Sequence, residues 1–121
     1  MHLMVDGYQC SKNKLQDLEL IYSFLDSFPS IINVSKITSP HVIRYIGKKP
    51  EDWGISGFIL IAESHISIHT FVEKGFFNLD VFSCKEFNSH KAINYIKKFF
   101  EPKNSKTFIL KRGLEYQKKN E

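Results

Sequence analysis

The chain is poor in the residues that tie small domains together covalently. Its 121 residues include only two cysteines, Cys10 and Cys84, too few for a disulfide framework. Both are expected as free thiols in a reducing compartment. No run approaches the roughly 20 apolar residues that span a bilayer. The opening "MHLMVDGYQC" also has neither the basic segment nor the apolar stretch of a signal peptide. A soluble, cytoplasmic protein without a membrane partner is expected. Acidic residues are the minority charge, 13 against 17 Lys and Arg, for a net charge of +4. The basic excess sits in "KNK", "GKK", "IKK" and "QKKNE", which read as solvated surface ending in a frayed tail rather than as a nucleic-acid footprint. Repeats, low-complexity segments and internal linkers are also lacking. What is present is 42% hydrophobic and 14% aromatic residues. That suits one compact domain, residues 1–121, burying somewhat over roughly 60% of its unfolded surface.

Periodicity divides this domain into short elements. "HLMVDGYQ", residues 2–9, reads as a strand. Leu15, Leu18, Ile21, Tyr22, Leu25 and Phe28 then recur at helical spacing, with Ser11 or Asn13 as cap and Pro29 as the stop. "NVSKIT" and "HVIRYIG" are β-rich runs parted by "SPH", and "KKPEDWG" reads as a polar loop. "GFILIA", "SHISIHTFV" and "FFNLDVFSC" supply three more strands, with "EKG" as a hairpin turn between the last two. A second helix starts at Asn88 or Ser89, buries Ala92, Ile93, Ile96, Phe99 and Phe100, and ends before Pro102. "KTFILKRG" closes the order β-α-β-β-β-β-α-β in outline. The expected fold class is α+β, an antiparallel sheet with two helices packed on one face as a two-layer sandwich. The other face would need a partner, which argues for a dimer.

Within this frame "AESHISIH", residues 62–69, is unexpectedly polar. His65 and His69 are four apart, the zinc-binding spacing on a helix. On a strand rising about 3.3 Å per residue they stand roughly 13 Å apart, too far to share an ion whose bonds are about 2 Å. A metal site is not expected. No Gly-x-Ser-x-Gly elbow supports a serine hydrolase at Ser64 or Ser67. His65 and Ser67 read as the solvent side of an alternating strand, with Ile66 and Ile68 inside.

Residues 56–84, "SGFILIAESHISIHTFVEKGFFNLDVFSC", closely resemble the short prokaryotic S-adenosylmethionine decarboxylases. These are pyruvoyl enzymes made as self-cleaving proenzymes. The likeness extends to "HLMVDGYQC" and to the cysteine ending "DVFSC". Removing a carboxyl group from an amino acid leaves a carbanion that needs an electron sink, usually pyridoxal phosphate. Nothing here looks like a pyridoxal domain, and the resemblance implies a carbonyl built from the chain itself. Ser64 attacks the carbonyl of Glu63, the resulting ester eliminates, and hydrolysis leaves a pyruvoyl group on residues 64–121, separated from residues 1–63.

The resemblance also implies the remaining roles. His69 is the base promoting elimination, since imidazole titrates near working pH. Ser56 assists processing, and Cys84 returns a proton to the substrate carbon, because a thiol holds its proton at neutral pH. Glu73, four residues after His69, binds the ribose hydroxyls of the adenosyl group or starts an exposed turn. Asp80 either favours a substrate cation or simply faces outward. Cys10 has no matched role and reads as a small buried hydrophobe. The chain departs from the family before Ser56. The stacking Phe expected six residues earlier is Pro50, in the longer loop "RYIGKKPEDWGIS". Tyr45 or Trp53 is left as the adenine platform, Trp53 equally as a loop-packing residue.

Three functions are compatible with these residues. The first is decarboxylation of S-adenosylmethionine, supplying aminopropyl groups for spermidine synthesis, with active sites where the protomers of a homodimer meet. The second is a relative of the same build acting on arginine or ornithine, small cations needing no adenine platform. The third is a noncatalytic module binding RNA on an aromatic sheet, which leaves the Ser-His-Cys spacing unexplained.

Overall fold

The computed structural model describes residues 1–113. Six strands form one antiparallel sheet in the order β2-β3-β4-β5-β1-β6. The strands are β1 (His2–Tyr8), β2 (His41–Ile46), β3 (Trp53–Ile61), β4 (Ser64–Phe71), β5 (Phe76–Phe82) and β6 (Asn104–Leu110). Between β1 and β2 lie a single-turn helix, α1 (Lys12–Leu15), and α2 (Leu18–Ile31); α3 (Ser89–Phe100) precedes β6.

Alternation dictates the layering. Leu3 and Val5 of β1, Ile55, Ile59 and Ile61 of β3, Ile66 and Ile68 of β4, and Phe77, Leu79 and Val81 of β5 are fully buried on one sheet face. They form one core with Ile21, Phe24, Leu25 and Phe28 of α2 and Ala92, Ile96 and Phe100 of α3. Each of these Leu, Ile, Val and Phe side chains contributes about 1.5–3 kcal/mol relative to exposure. The result is the expected α+β two-layer sandwich, with both long helices on one face.

The opposite face is uncovered. It carries the alternate residues of the same strands, including Ile43, Tyr45, Phe58, Leu60, Phe108 and Leu110, each at least 40% exposed.

The elements differ from the sequence expectations in three places. The first helix is two: α2 is capped by the Asp17 carboxylate, which accepts from the Leu20 N–H at 3.1 Å. Its stop is later than expected, because Pro29 lies inside the last turn and the helix runs on to Ile31. A proline near a helix end loses one backbone bond yet keeps a helical φ. "NVSKIT" is not a strand but a crossing segment joined to β3 by an isolated bridge between Lys36 and Ile61. Finally β3 begins at Trp53, taking in residues read as loop. α3 starts as expected, with the Asn88 side chain accepting from the Lys91 N–H.

Candidate active site

The β3–β4 hairpin turns at Ala62 and Glu63, so the Glu63–Ser64 bond lies at the end of the sheet. In the β4–β5 register His65 faces Phe82, which leaves Ser64 opposite the chain just leaving β5. Cys84 therefore meets the hairpin. The Ser64 hydroxyl donates to the carbonyl oxygen of Glu63. The Cys84 backbone N–H donates to Ser64 Oγ at 3.0 Å, and Cys84 Sγ lies 3.4 Å from Ser64 Oγ and 3.1 Å from the Glu63 oxygen. A hydroxyl, the peptide carbonyl preceding it, a thiol on that carbonyl oxygen and an N–H on the hydroxyl thus share one small volume, and a donor aimed at a carbonyl oxygen, as the thiol is, stabilises negative charge developing there.

A second pair sits in the middle of the uncovered face. Ser56 and His69 are direct cross-strand partners, and Ser56 Oγ lies 2.8 Å from His69 Nδ1. β4 is regular: Ile66, Ile68 and Thr70 are buried, whereas His65 and His69 are exposed. No bulge turns Ser64 towards His69, and five residues of strand part them by roughly 16 Å. The structure groups Ser64 with Glu63 and Cys84, and Ser56 with His69, as two separate clusters.

Beside the second pair a cavity of about 410 Å³ is lined by Tyr45, Asp52, Trp53, Ser56, His69, Thr70, Phe71 and Lys74. Tyr45, opposite Gly54 in the β2–β3 register, shares the uncovered face with Ser56. Trp53 touches this cavity, yet its ring packs against the core and its Nε1–H donates to Glu73 Oε1 at 3.1 Å. Arg44 stands 5.8 Å from the indole centre, and Lys12 donates to Glu73 Oε2 at 3.2 Å. The Trp53 and Lys12 hydrogen bonds hold the Glu73 carboxyl below its ordinary range.

Other residues fall into supporting places. Asp80 lies on the uncovered face, 3.5 Å from His2 Nε2. Cys10 is buried, and desolvation pushes its thiol up to about 11. Among the described residues no group of three or more His, Cys, Asp and Glu could hold a metal ion. No described helix is long and apolar enough to cross a membrane. Thr70 and Asp52 escaped the sequence reading. Thr70 is a buried hydroxyl that donates to Leu15 O at 2.8 Å and accepts from the Ile55 N–H at 2.9 Å. Its signal was a polar residue at an inward strand position.

Likeness to known proteins places this two-layer α+β domain, with its two side-chain clusters, among the decarboxylases. Within that class, the chain belongs to the S-adenosylmethionine decarboxylase family, whose description matches residues 1–113. It is 46% identical over 115 residues to the S-adenosylmethionine decarboxylase proenzyme of Thermococcus kodakarensis, covering 94% of this chain and 76% of that one. It is 33% identical over 114 residues to the proenzyme of Thermoanaerobacter sp. strain X514, covering 93% and 87%. The crystal structure of the adenosylmethionine decarboxylase from Aquifex aeolicus VF5 superposes with a TM-score of 0.78 at 31% identity, over 93% of this chain and 88% of that one.

Proposed function

We propose that this chain is a self-cleaving S-adenosylmethionine decarboxylase that makes its own pyruvoyl group from Ser64 and works as a homodimer. Family membership supports the reaction, and the contact of Ser64 Oγ with the Glu63 carbonyl is the observation that carries the self-processing. Attack of Oγ on the Glu63 carbonyl carbon forms a C–O bond and breaks the C–N bond, giving an ester and a free amine. During this shift the Cys84 thiol, held on the Glu63 oxygen, offsets the negative charge there. Removal of the Ser64 α-proton then expels the Glu63 carboxylate, and water replaces the nitrogen as ammonia. Residues 1–63 and 64–121 become separate chains. When present, the pyruvoyl group supplies the carbonyl that accepts electrons as carbon dioxide leaves. Cys84 Sγ, already against the same atoms, is the group that carries a proton to the product carbon.

The roughly 16 Å between Ser64 and His69 supports the dimer. A strand that long and regular cannot fold His69 back onto its own Ser64. A second copy packed face to face about a two-fold axis can bring the Ser56–His69 pair of one protomer over the Ser64–Cys84 cluster of the other, twice per dimer. The uncovered apolar side chains give that packing its driving force. His69 then acts as the base for elimination in the facing copy, with Ser56 fixing its ring through Nδ1.

The substrate belongs in the cavity beside this pair, whose volume falls in the range of about 300–1,000 Å³ common to small-molecule sites. Two aromatics of the open face line that cavity, Tyr45 and Phe71; of these Tyr45, on the β2 side of Gly54, takes the role of adenine platform, while Trp53 braces the loop and Glu73. Glu73 remains the candidate for the ribose hydroxyls, since each carboxylate oxygen has a further lone pair to offer. The product is an aminopropyl donor of the kind spermidine synthesis consumes.

Electrospray mass spectrometry of the denatured protein, paired with carbon dioxide release, tests the proposal. Two fragments dividing between Glu63 and Ser64, with release from S-adenosylmethionine but not from arginine or ornithine, are expected. Release from arginine alone would overturn the substrate.

A further inference from the structure

The family reading leaves the long loop before β3 without a task, yet one of its residues faces the cavity. Asp52 is the only carboxylate among the cavity's lining residues. Its backbone is pinned: its N–H donates to Lys49 O at 3.0 Å, and its carbonyl accepts from the Gly47 N–H. Its side chain, two residues before Gly54 and four before Ser56, shares the parity of the uncovered face. Among the described residues no hydrogen bond or ion pair engages the carboxylate, although Lys74 lines the same cavity. Glu73 contrasts with it, because both of its oxygens already accept from Trp53 and Lys12. The free, cavity-facing acceptor is therefore Asp52.

Position selects what it meets. Four extended residues place Asp52 roughly 13 Å from Ser56, and the Ser56–His69 pair marks the reacting end in the proposed dimer. Tyr45 lies between them along the open face. A ligand with its amino acid at His69 and its base on Tyr45 directs the far edge of that base at Asp52. For adenine, that edge bears an exocyclic amine, a donor suited to an ionised carboxylate.

We infer that Asp52 is a specificity-determining residue that accepts a hydrogen bond from the exocyclic amine of the substrate's adenine. The inference rests on the reading of the substrate as S-adenosylmethionine. An aminated base is selected because the deaminated one turns an acceptor oxygen towards the carboxylate and leaves it unpaired.

The test compares kcat/KM for S-adenosylmethionine and for its deaminated counterpart, S-inosylmethionine, using self-cleaved full-length protein. The wild type should prefer the adenosyl substrate by about 10²-fold, the upper end of what one hydrogen bond to a charged, half-buried group supplies. Asp52→Asn, whose amide can donate to the inosyl oxygen, should lower the adenosyl value about tenfold and bring the two substrates within about threefold. Asp52→Ala should also erase the preference, lowering the adenosyl value while relieving the inosyl oxygen of the facing carboxylate, which covers the case of a misplaced asparagine. Equal losses for both substrates, or a preference that survives both variants, would overturn the inference. A wild type silent towards S-adenosylmethionine would remove the substrate reading itself, and this inference with it.

Discussion

The two reactive clusters of this molecule are held by different devices. At the sheet end, Ser64 and Cys84 meet because a two-residue turn and the exit of β5 converge, and beside the direct Oγ–Sγ approach their contacts engage a backbone N–H and a backbone carbonyl. In mid-sheet, Ser56 and His69 meet by register alone, as one rung between β3 and β4. The first arrangement can change shape locally, which a rearranging peptide bond requires. The second is rigid, since shifting one rung would send every buried isoleucine of β4 to the wrong face. The proposed backbone chemistry thus sits where the ladder ends, and the proposed base sits where the ladder is firmest.

Substitutions can separate the two clusters, and the largest effect belongs to the sheet end. Ser64→Ala removes the only hydroxyl that can start the shift, so the chain should remain a single uncleaved mass with decarboxylation at background. His69→Ala should slow cleavage by about 10²–10⁴-fold, the usual worth of general acid–base catalysis. The comparison sharpens if Ser64→Ala and His69→Ala chains are co-expressed. One site of each mixed dimer then combines an intact Ser64 with an intact His69, so activity should return to a fraction of wild type, and its absence in the mixture would break the face-to-face arrangement.

Cys84→Ala should act on both stages, with slower cleavage and turnover reduced by about 10²-fold, measured on cleaved protein so that the stages are distinguished. The smallest effect is on stability. Thr70→Val keeps the shape but leaves the Leu15 carbonyl and Ile55 N–H without their partner, costing about 1–3 kcal/mol in denaturant unfolding. Because Thr70 neighbours His69 from the opposite face, cleavage should be little altered.

Much of this architecture was readable in one dimension. Alternating Ile66, Ile68 and their neighbours announced a half-buried strand, and Asn88, Ala92, Ile96 and Phe100 announced α3, because those patterns follow directly from strand and helix periods. Pro29 misled because a proline that keeps a helical φ costs one ladder bond, to the carbonyl four residues back, without stopping the chain from completing its last turn to Ile31. "NVSKIT" misled because β-rich composition does not provide a ladder, and the segment meets β3 through a single bridge. Ser64 and His69 are five positions apart, so a regular strand points them to opposite faces, and no bulge in β4 alters this.

Local chemistry and composition therefore determined the element types and the single core, since these depend on neighbours along the chain, while the Glu63–Ser64 bond was indicated by the family resemblance of residues 56–84. The tertiary structure alone decided that Cys84 lies on the Glu63 carbonyl, that Ser56 bonds His69, and that Trp53 turns to the core while Asp52 turns to the cavity. Those outcomes depend on strand order and register, which bring together residues 13 and 20 positions apart, and no local preference encodes a rung of a sheet.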